Sequence, residues 1–497
     1  MKRHLLPLTI AMCVTAIVHA PAVHTFFAQD DFTFLSRAAG LARPDHFFRP
    51  IPCWLVFKAE YFAFRLHPFP YHLVNLAVHA LNVALLWSLT TRLGASPRSA
   101  TAAGIVFGVS PATFTPLHWA TGITELLGAT FLLLATHCAM ARGSQRMLWL
   151  SAFLAFLAML SKETAIAWGG AYVLLRTRIT GGRLTFSQLA PAIVATVCFV
   201  GFLMLGESSH PLGGSNAYAL SASPGFLLCN LTTYVRWAVD VTLAIPDVVA
   251  VADPTAWRIA VPVLLATIAL LWNLRGAQER VAAWFGLGWW WVFLFPVLPL
   301  AHHTYAYYLY IPSIGGALFV AFVGGALGAR WPASVARGVA IGSVATYVLV
   351  QAHNFSTREG ATWNALPVDR TIRDATLVQH CLAGLRQADL PPGSTIQFVN
   401  PVPGPGFDLM TGGPTRADIK GQRASYYPLE GALRGGEMLK LYFPGLSYGG
   451  FSSKVPTSSQ TIDCFYFEQR GWLQYWGRGQ DALMHQAELE AKLARGR

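Results

Sequence analysis

Two adjacent acids, Asp30 and Asp31, stand just past an apolar run from Leu5 to Phe27. Ionised side chains beside a bilayer are costly and usually have a task. One carboxylate of such a pair can take a proton from a hydroxyl while its neighbour bonds a metal, a backbone amide or a substrate. Adjacent acids also raise one another's proton affinity, which suits a base. A structural reading competes: acids at a helix N-terminus satisfy backbone amides just outside a span.

Four further groups have chemistry-bearing types at usable spacing. His72, Asn75 and His79 recur at i, i+3 and i+7 and share one helical face. A polar stripe in a span faces protein or a cavity, where it either bonds helices together or touches a ligand. Ser161-Lys162-Glu163-Thr164 lies between two short apolar runs. Lys162 there can bind a lipid phosphate with Glu163 orienting it, or snorkel as a structural lysine. His302-His303-Thr304-Tyr305, then Tyr307, Tyr308 and Tyr310, suit a membrane interface and a sugar face equally. His118, Trp119 and Glu125 form a weaker group at the break between two apolar runs. The residues are too dispersed, and too poor in carboxylate, for a metal site at the stripe. No Walker, GxSxG or HExxH motif is present.

The elements that must position these groups are membrane spans. Hydrophobic residues make up 54% of the chain and charged residues 12%, about half the charge of a soluble domain. Apolar runs lie at 5–27, 71–91, 99–116, 122–141, 147–160, 164–177, 189–206, 259–274, 281–300, 305–328 and 332–352. The expectation is an all-α polytopic membrane domain of eleven spans, or twelve if 225–245 crosses. That segment carries Arg236 and Asp240 and reads as interfacial or re-entrant. With eleven spans, the basic loops all fall on the cytoplasmic side. Asp30-Asp31 and the tail then face outward. The first span is expected to stay attached rather than be cleaved as a signal peptide.

The chain divides into a membrane domain, 1–352, with a first outer loop at 28–70, and a soluble extracytoplasmic α/β domain, 353–497. In the tail, helices are expected near 371–388, 430–440 and 481–494, strands at 396–400 and near 461–469, and a Pro/Gly turn at 401–406. The net charge of +12 is mostly the positive-inside bias, since the tail holds 15 Lys+Arg against 13 Asp+Glu, a net of +2. Nothing in it points to nucleic acid. Cys381 and Cys464 either pair outside the cytoplasm or remain as two buried thiols.

In their order, these motifs resemble the GT-C-fold glycosyltransferases, in particular the protein O-mannosyltransferases and the transmembrane O-mannosyltransferases that carry tetratricopeptide repeats. The resemblance covers about residues 1–320. It rests on Asp30-Asp31, Arg49-Pro50, the His72–Asn75–His79 stretch, Trp119 with Gly122 and Glu125, Ser161 to Thr164, and Tyr308 to Ser313. The chain departs from the pattern at Ser110-Pro111-Ala112-Thr113-Phe114, and at Tyr307, where many relatives have Arg. The tail shows no repeat. The resemblance implies a hexosyl- or pentosyltransferase that takes a polyprenyl-phosphate-linked sugar and inverts the anomeric carbon, with Asp30 or Asp31 as base. Arg49, Lys162, Glu163, His302, His303, Tyr307 and Tyr310 would serve the donor phosphate and lipid. His72, Asn75, His79, His118 and Glu125 would line the cavity. Mg or Mn helps some members of this fold and not others. The acceptor would be a glycan, lipid or protein at the outer face of a bacterial inner membrane, with the tail periplasmic. A lipid-linked sugar flippase and an inactive assembly scaffold are the competing functions.

Overall fold

The computed structural model describes residues 2–42, 49–141, 143–205, 219–240, 253–274, 277–301, 303–363, 365–399, 428–452, 454–456, 461–467 and 471–495. Each of the eleven apolar runs contains a helix among the described residues. In chain order the helices are α1 (Lys2–Val18), α2 (Asp30–Ala38), α3 (Phe57–Phe64), α4 (Pro68–Arg92), α5 (Pro97–Gly108), α6 (Phe114–His118), α7 (Ile123–Ala139) and α8 (Gln145–Ser161). They continue with α9 (Trp168–Thr180), α10 (Phe186–Leu205), α11 (Pro224–Val239), α12 (Trp257–Asn273), α13 (Ala277–Leu294), α14 (Tyr310–Gly328), α15 (Ala333–Gly360) and α16 (Arg370–Ala388).

Six helical stretches are long and apolar enough to cross a membrane: Pro68–Arg92, Ala120–Ala139, Phe186–Met204, Glu279–Val297, Ala306–Gly328 and Ala333–Gly360. The stretch Pro97–Gly108 with Pro111–His118, bent by 50°, makes a seventh if it is one broken span. The bend falls at Ser110-Pro111, where proline removes a backbone donor and restarts the chain as a 3-10 turn. The apolar helices Leu6–Val18, Gln145–Ser161 and Trp257–Trp272 are shorter. The run expected at 164–177 opens as a 3-10 turn, Glu163–Ala167, before α9 begins.

The chain folds as two units. The first comprises Met1–Val23, Asp45–Val56 and Pro70–Ser356, and the second His24–Pro44, Phe57–Phe69 and Thr357–Arg497. In the first, α13 and α14 approach closely because both present glycine. A Cβ on Gly286 would lie 2.7 Å from the Gly315 carbonyl oxygen, and one on Gly315 would lie 2.3 Å from that of Gly286. Small residues at a helix crossing let backbones pack without a side chain between them.

In the second unit a four-stranded sheet has the order β4-β3-β5-β6, with β3 Thr395–Val399, β4 Ser447–Ser452, β5 Ile462–Phe467 and β6 Leu473–Gly477. Strand β3 runs parallel to β4 and β5, and β6 is antiparallel to β5. A small hairpin joins β1 (Thr362–Trp363) to β2 (Leu366–Pro367). Val399, Cys464, Trp476 and Ala482 form part of the core against the C-terminal helix Gly479–Arg495. Strands β4 and β6 were not expected. Ser447–Ser452 holds two glycines, and β6 is short and half-exposed. Cys381 and Cys464 are both free, buried thiols. The expected turn at 401–406 lies outside the described residues.

Candidate functional site

The acid pair opens α2 in the second unit. Carboxylates in the first turn of a helix complement its positive end. The two acids differ in setting. Asp31 is fully buried, and its Oδ2 accepts the Ala28 N–H at 3.0 Å. Asp30 is about one-third exposed, and its Oδ1 lies 3.1 Å from Arg434 Nη1. The residue before them, Gln29, has φ 55° and ψ −122°, a strained backbone for a non-glycine residue. It is fixed from two sides. Its N–H donates to the Ala432 carbonyl at 2.8 Å, and its side-chain amide donates to Asp374 on α16. The tail's helices therefore set where the acids point.

Helix α3 adds a third carboxyl that the sequence reading did not single out. Glu60 is only 6% exposed, and its Oε1 has no hydrogen-bond partner among the described residues. Burial, with the Asp31 charge second, pushes its carboxyl up to about 8. Near neutral pH Glu60 therefore keeps its proton beside Asp31. The available signal was one acid in an aromatic helix, Phe57-Lys58-Ala59-Glu60-Tyr61-Phe62.

The first unit holds the cations. Lys162 is 3% exposed, and its Nζ lies 2.5 Å from Glu125 Oε1 and over the Tyr308 and Tyr307 rings at 5.1 and 5.6 Å. Glu163 does not orient Lys162 as expected; it grips Arg49. Arg49 Nε donates at 3.1 Å to each carboxylate oxygen, and Nη2 donates at 2.9 Å to Oε1. Burial alone would raise the Glu163 carboxyl, but Arg49 and Lys162 together outweigh it and hold it at about 2. Tyr307 stacks on Tyr305, meets Trp119 edge-on, and its hydroxyl lies 3.4 Å from His303 Nε2. His302 lies outside the described residues.

The stripe on α4 bonds helices together. His72 Nδ1 lies 2.9 Å from the Leu117 carbonyl. Asn75 donates to the carbonyls of Trp119 and Ala120, both at 3.1 Å. His79 Nε2 donates to the Gly108 carbonyl at 3.0 Å, and its Nδ1 accepts from the Tyr310 hydroxyl at 2.8 Å. Asn82 also donates to that hydroxyl, at 3.1 Å. Tyr310 is thus joined to the stripe rather than to Lys162. His118 stacks on Phe114 and bonds its carbonyl at 3.0 Å. The stripe fixes the 3-10 break that leads into Glu125, which fixes Lys162. Among the described residues no group of three or more His, Cys, Asp or Glu could hold a metal ion.

No protein-family model matches this chain, and no curated protein matches it. Among solved structures it is similar to ArnT from Cupriavidus metallidurans bound to undecaprenyl phosphate, with a TM-score of 0.46 and 13% identity, over 80% of this chain and 82% of that one. It is also similar to the Archaeoglobus fulgidus oligosaccharyltransferase complexed with zinc and sulfate, with a TM-score of 0.41 and 11% identity, over 79% of this chain and 60% of that one.

Proposed function

We propose that this chain is an inverting glycosyltransferase that moves a sugar from a polyprenyl-phosphate carrier to an acceptor hydroxyl at the outer face of a bacterial inner membrane. The observation that carries the reading is the asymmetry of the acid pair: a partly exposed Asp30 beside a fully buried Asp31 on one helical turn. Asp30 is the base, because an acceptor can reach it. Asp31 positions the turn through its bond to Ala28.

In the reaction Asp30 takes the acceptor's proton. The oxygen attacks the anomeric carbon as the bond from that carbon to the phosphate oxygen breaks, and the carrier leaves as polyprenyl phosphate. A single base opposite the leaving group gives inversion. A phosphate leaves without a general acid, so cations alone can stabilise it. Lys162 and Arg49 supply that charge, each already held by a resident carboxylate. Those carboxylates fix the cations in position and must share them with the phosphate. His303 and Tyr307 complete the donor side, and the tail lies in the periplasm.

The test uses purified protein with labelled polyprenyl-phosphate sugar and an extract containing acceptor. Asp30→Asn is expected to lower transfer at least a hundredfold with thermal unfolding unchanged. Full transfer by both Asp30→Asn and Asp31→Asn would overturn the assignment. A second reading, an inactive scaffold, is favoured by one observation: both cations are already paired within the chain. It predicts no consumption of the labelled donor at all. A flippase would move the labelled lipid without cleaving it.

A further inference from the structure

The second unit carries an open surface cavity of about 600 Å³, at which Arg65, Gln379 and Arg386 are exposed; its volume is within the range of roughly 300–1,000 Å³ typical of ligand sites. It is lined by Phe26, by Tyr61 and Arg65 at the end of α3, by Gln379 and Arg386 on α16, and by Tyr442, with no carboxylate among its lining residues. Arg386 makes no ion pair among the described residues.

Two contacts fix the walls of the cavity. Arg65 sits at φ 54°, a left-handed conformation that a non-glycine side chain rarely adopts. Its N–H donates to the Tyr61 carbonyl at 2.9 Å, which closes α3, and its guanidinium lies 5.4 Å from the Tyr61 ring centroid, within reach of a cation–π contact. Tyr442 is also fixed: its hydroxyl donates to the Leu66 carbonyl at 3.3 Å, and its ring packs against Phe26. It meets Phe32 edge-on, and Phe32 directly follows the two acids on α2. The cavity wall is therefore continuous with the acid-bearing helix.

Arginine forks bind carboxylate or phosphate in two-point contact. Tyrosine faces pack against the apolar faces of sugar rings while their hydroxyls bond polar edges. We propose that this cavity is an acceptor subsite that takes an anionic saccharide, its carboxylate or phosphate on Arg65 and Arg386 and its sugar against Tyr61 and Tyr442. The assignment rests on the transferase reading for the word acceptor, but the binding itself does not.

The full chain in phosphatidylcholine nanodiscs, without donor, is titrated calorimetrically with five probes. These are a glucuronate-bearing disaccharide, a phosphorylated disaccharide, a neutral disaccharide of the same linkage, inorganic phosphate and a nucleoside monophosphate. A charged disaccharide is expected to bind at least tenfold more tightly than the neutral one and than inorganic phosphate. Arg65→Gln and Arg386→Gln should each weaken it at least tenfold, with thermal unfolding unchanged. Equal binding of charged and neutral disaccharides, tighter binding of the nucleotide, or indifference to Arg386→Gln would overturn the proposal. Because no donor is present, failure here leaves the base assignment standing. Conversely, full transfer by the Asp30 and Asp31 variants would leave this binding intact.

Discussion

Lys162 forms its ion pair with Glu125 on α7, not with Glu163 beside it in sequence. Both partners are almost fully buried, so the pair exchanges solvation for one close contact, and neither charge has water to fall back on. This makes the two residues a single element: whatever moves Glu125 moves the ammonium.

Lys162→Met is therefore expected to destabilise the protein by about 3–5 kcal/mol, because it leaves a buried carboxylate alone. Lys162→Met with Glu125→Leu should recover most of that loss, since a well-packed apolar pair often replaces a buried ion pair at little cost. Donor binding should stay lost in both. Thermal unfolding in detergent and binding of labelled polyprenyl phosphate separate the two effects. Equal stability of the single and double variants would contradict the pairing.

Glu60 yields a pH prediction. Its carboxyl is raised from 4.5 in the unfolded chain to about 8 in the fold, first by burial and then by Asp31. The folded state thus holds the proton more tightly. The resulting stability is complete below pH 4.5, declines as pH rises, and is gone above about pH 8. The ceiling is on the order of 3–5 kcal/mol, at about 1.4 kcal/mol per unit. Glu60→Gln keeps the shape without the charge and should flatten the stability profile between pH 4.5 and 8. Denaturant melts at several pH values check this, and an unchanged slope in the variant would refute it.

The sequence made the helices legible because lipid demands long apolar runs with their backbone bonds satisfied internally. Every apolar run contains a helix, but the break at Ser110-Pro111 falls inside a run expected as one span. What stayed hidden were relations between distant segments. Nothing local says that Gln29 reaches Asp374, that Glu163 serves Arg49, or that residues 24–44 and 57–69 fold with the tail. Such pairs have no periodicity to read, since each is one contact across a long stretch of chain. Glu60 was visible as an acid but not as a buried one, because α3 alone does not reveal which face α2 covers.

Arg434 tests the exposed half of the acid pair. The contact with Asp30 joins a half-exposed guanidinium to a partly exposed carboxylate, and pairs of that kind contribute about 1 kcal/mol or less. Arg434→Ala should shift stability by no more than that, while changing transfer, because the base loses a neighbouring positive charge. Raising salt from low to physiological strength should shrink the difference in activity between parent and variant. A stability loss of several kcal/mol would mean that Arg434 acts as a strut instead.

Gly122 tests how the stripe reaches the cation. A Cβ there would fall 2.1 Å from the Pro116 carbonyl oxygen and 2.6 Å from its carbonyl carbon. These are backbone atoms, so they cannot rotate aside, and Gly122→Ala must push the 3-10 turn away from α6. Overpacking of this kind costs about 1–3 kcal/mol or more. The same turn is held by Asn75, whose amide bonds the Trp119 and Ala120 carbonyls. Asn75→Ala should cost about 1–3 kcal/mol by leaving buried carbonyls unpaired. Since Glu125 begins only three residues past Gly122, both variants should also weaken donor-lipid binding, although neither touches Lys162. Melts that fall while donor affinity stays at the parent value would show that the turn supports the fold without setting the lysine.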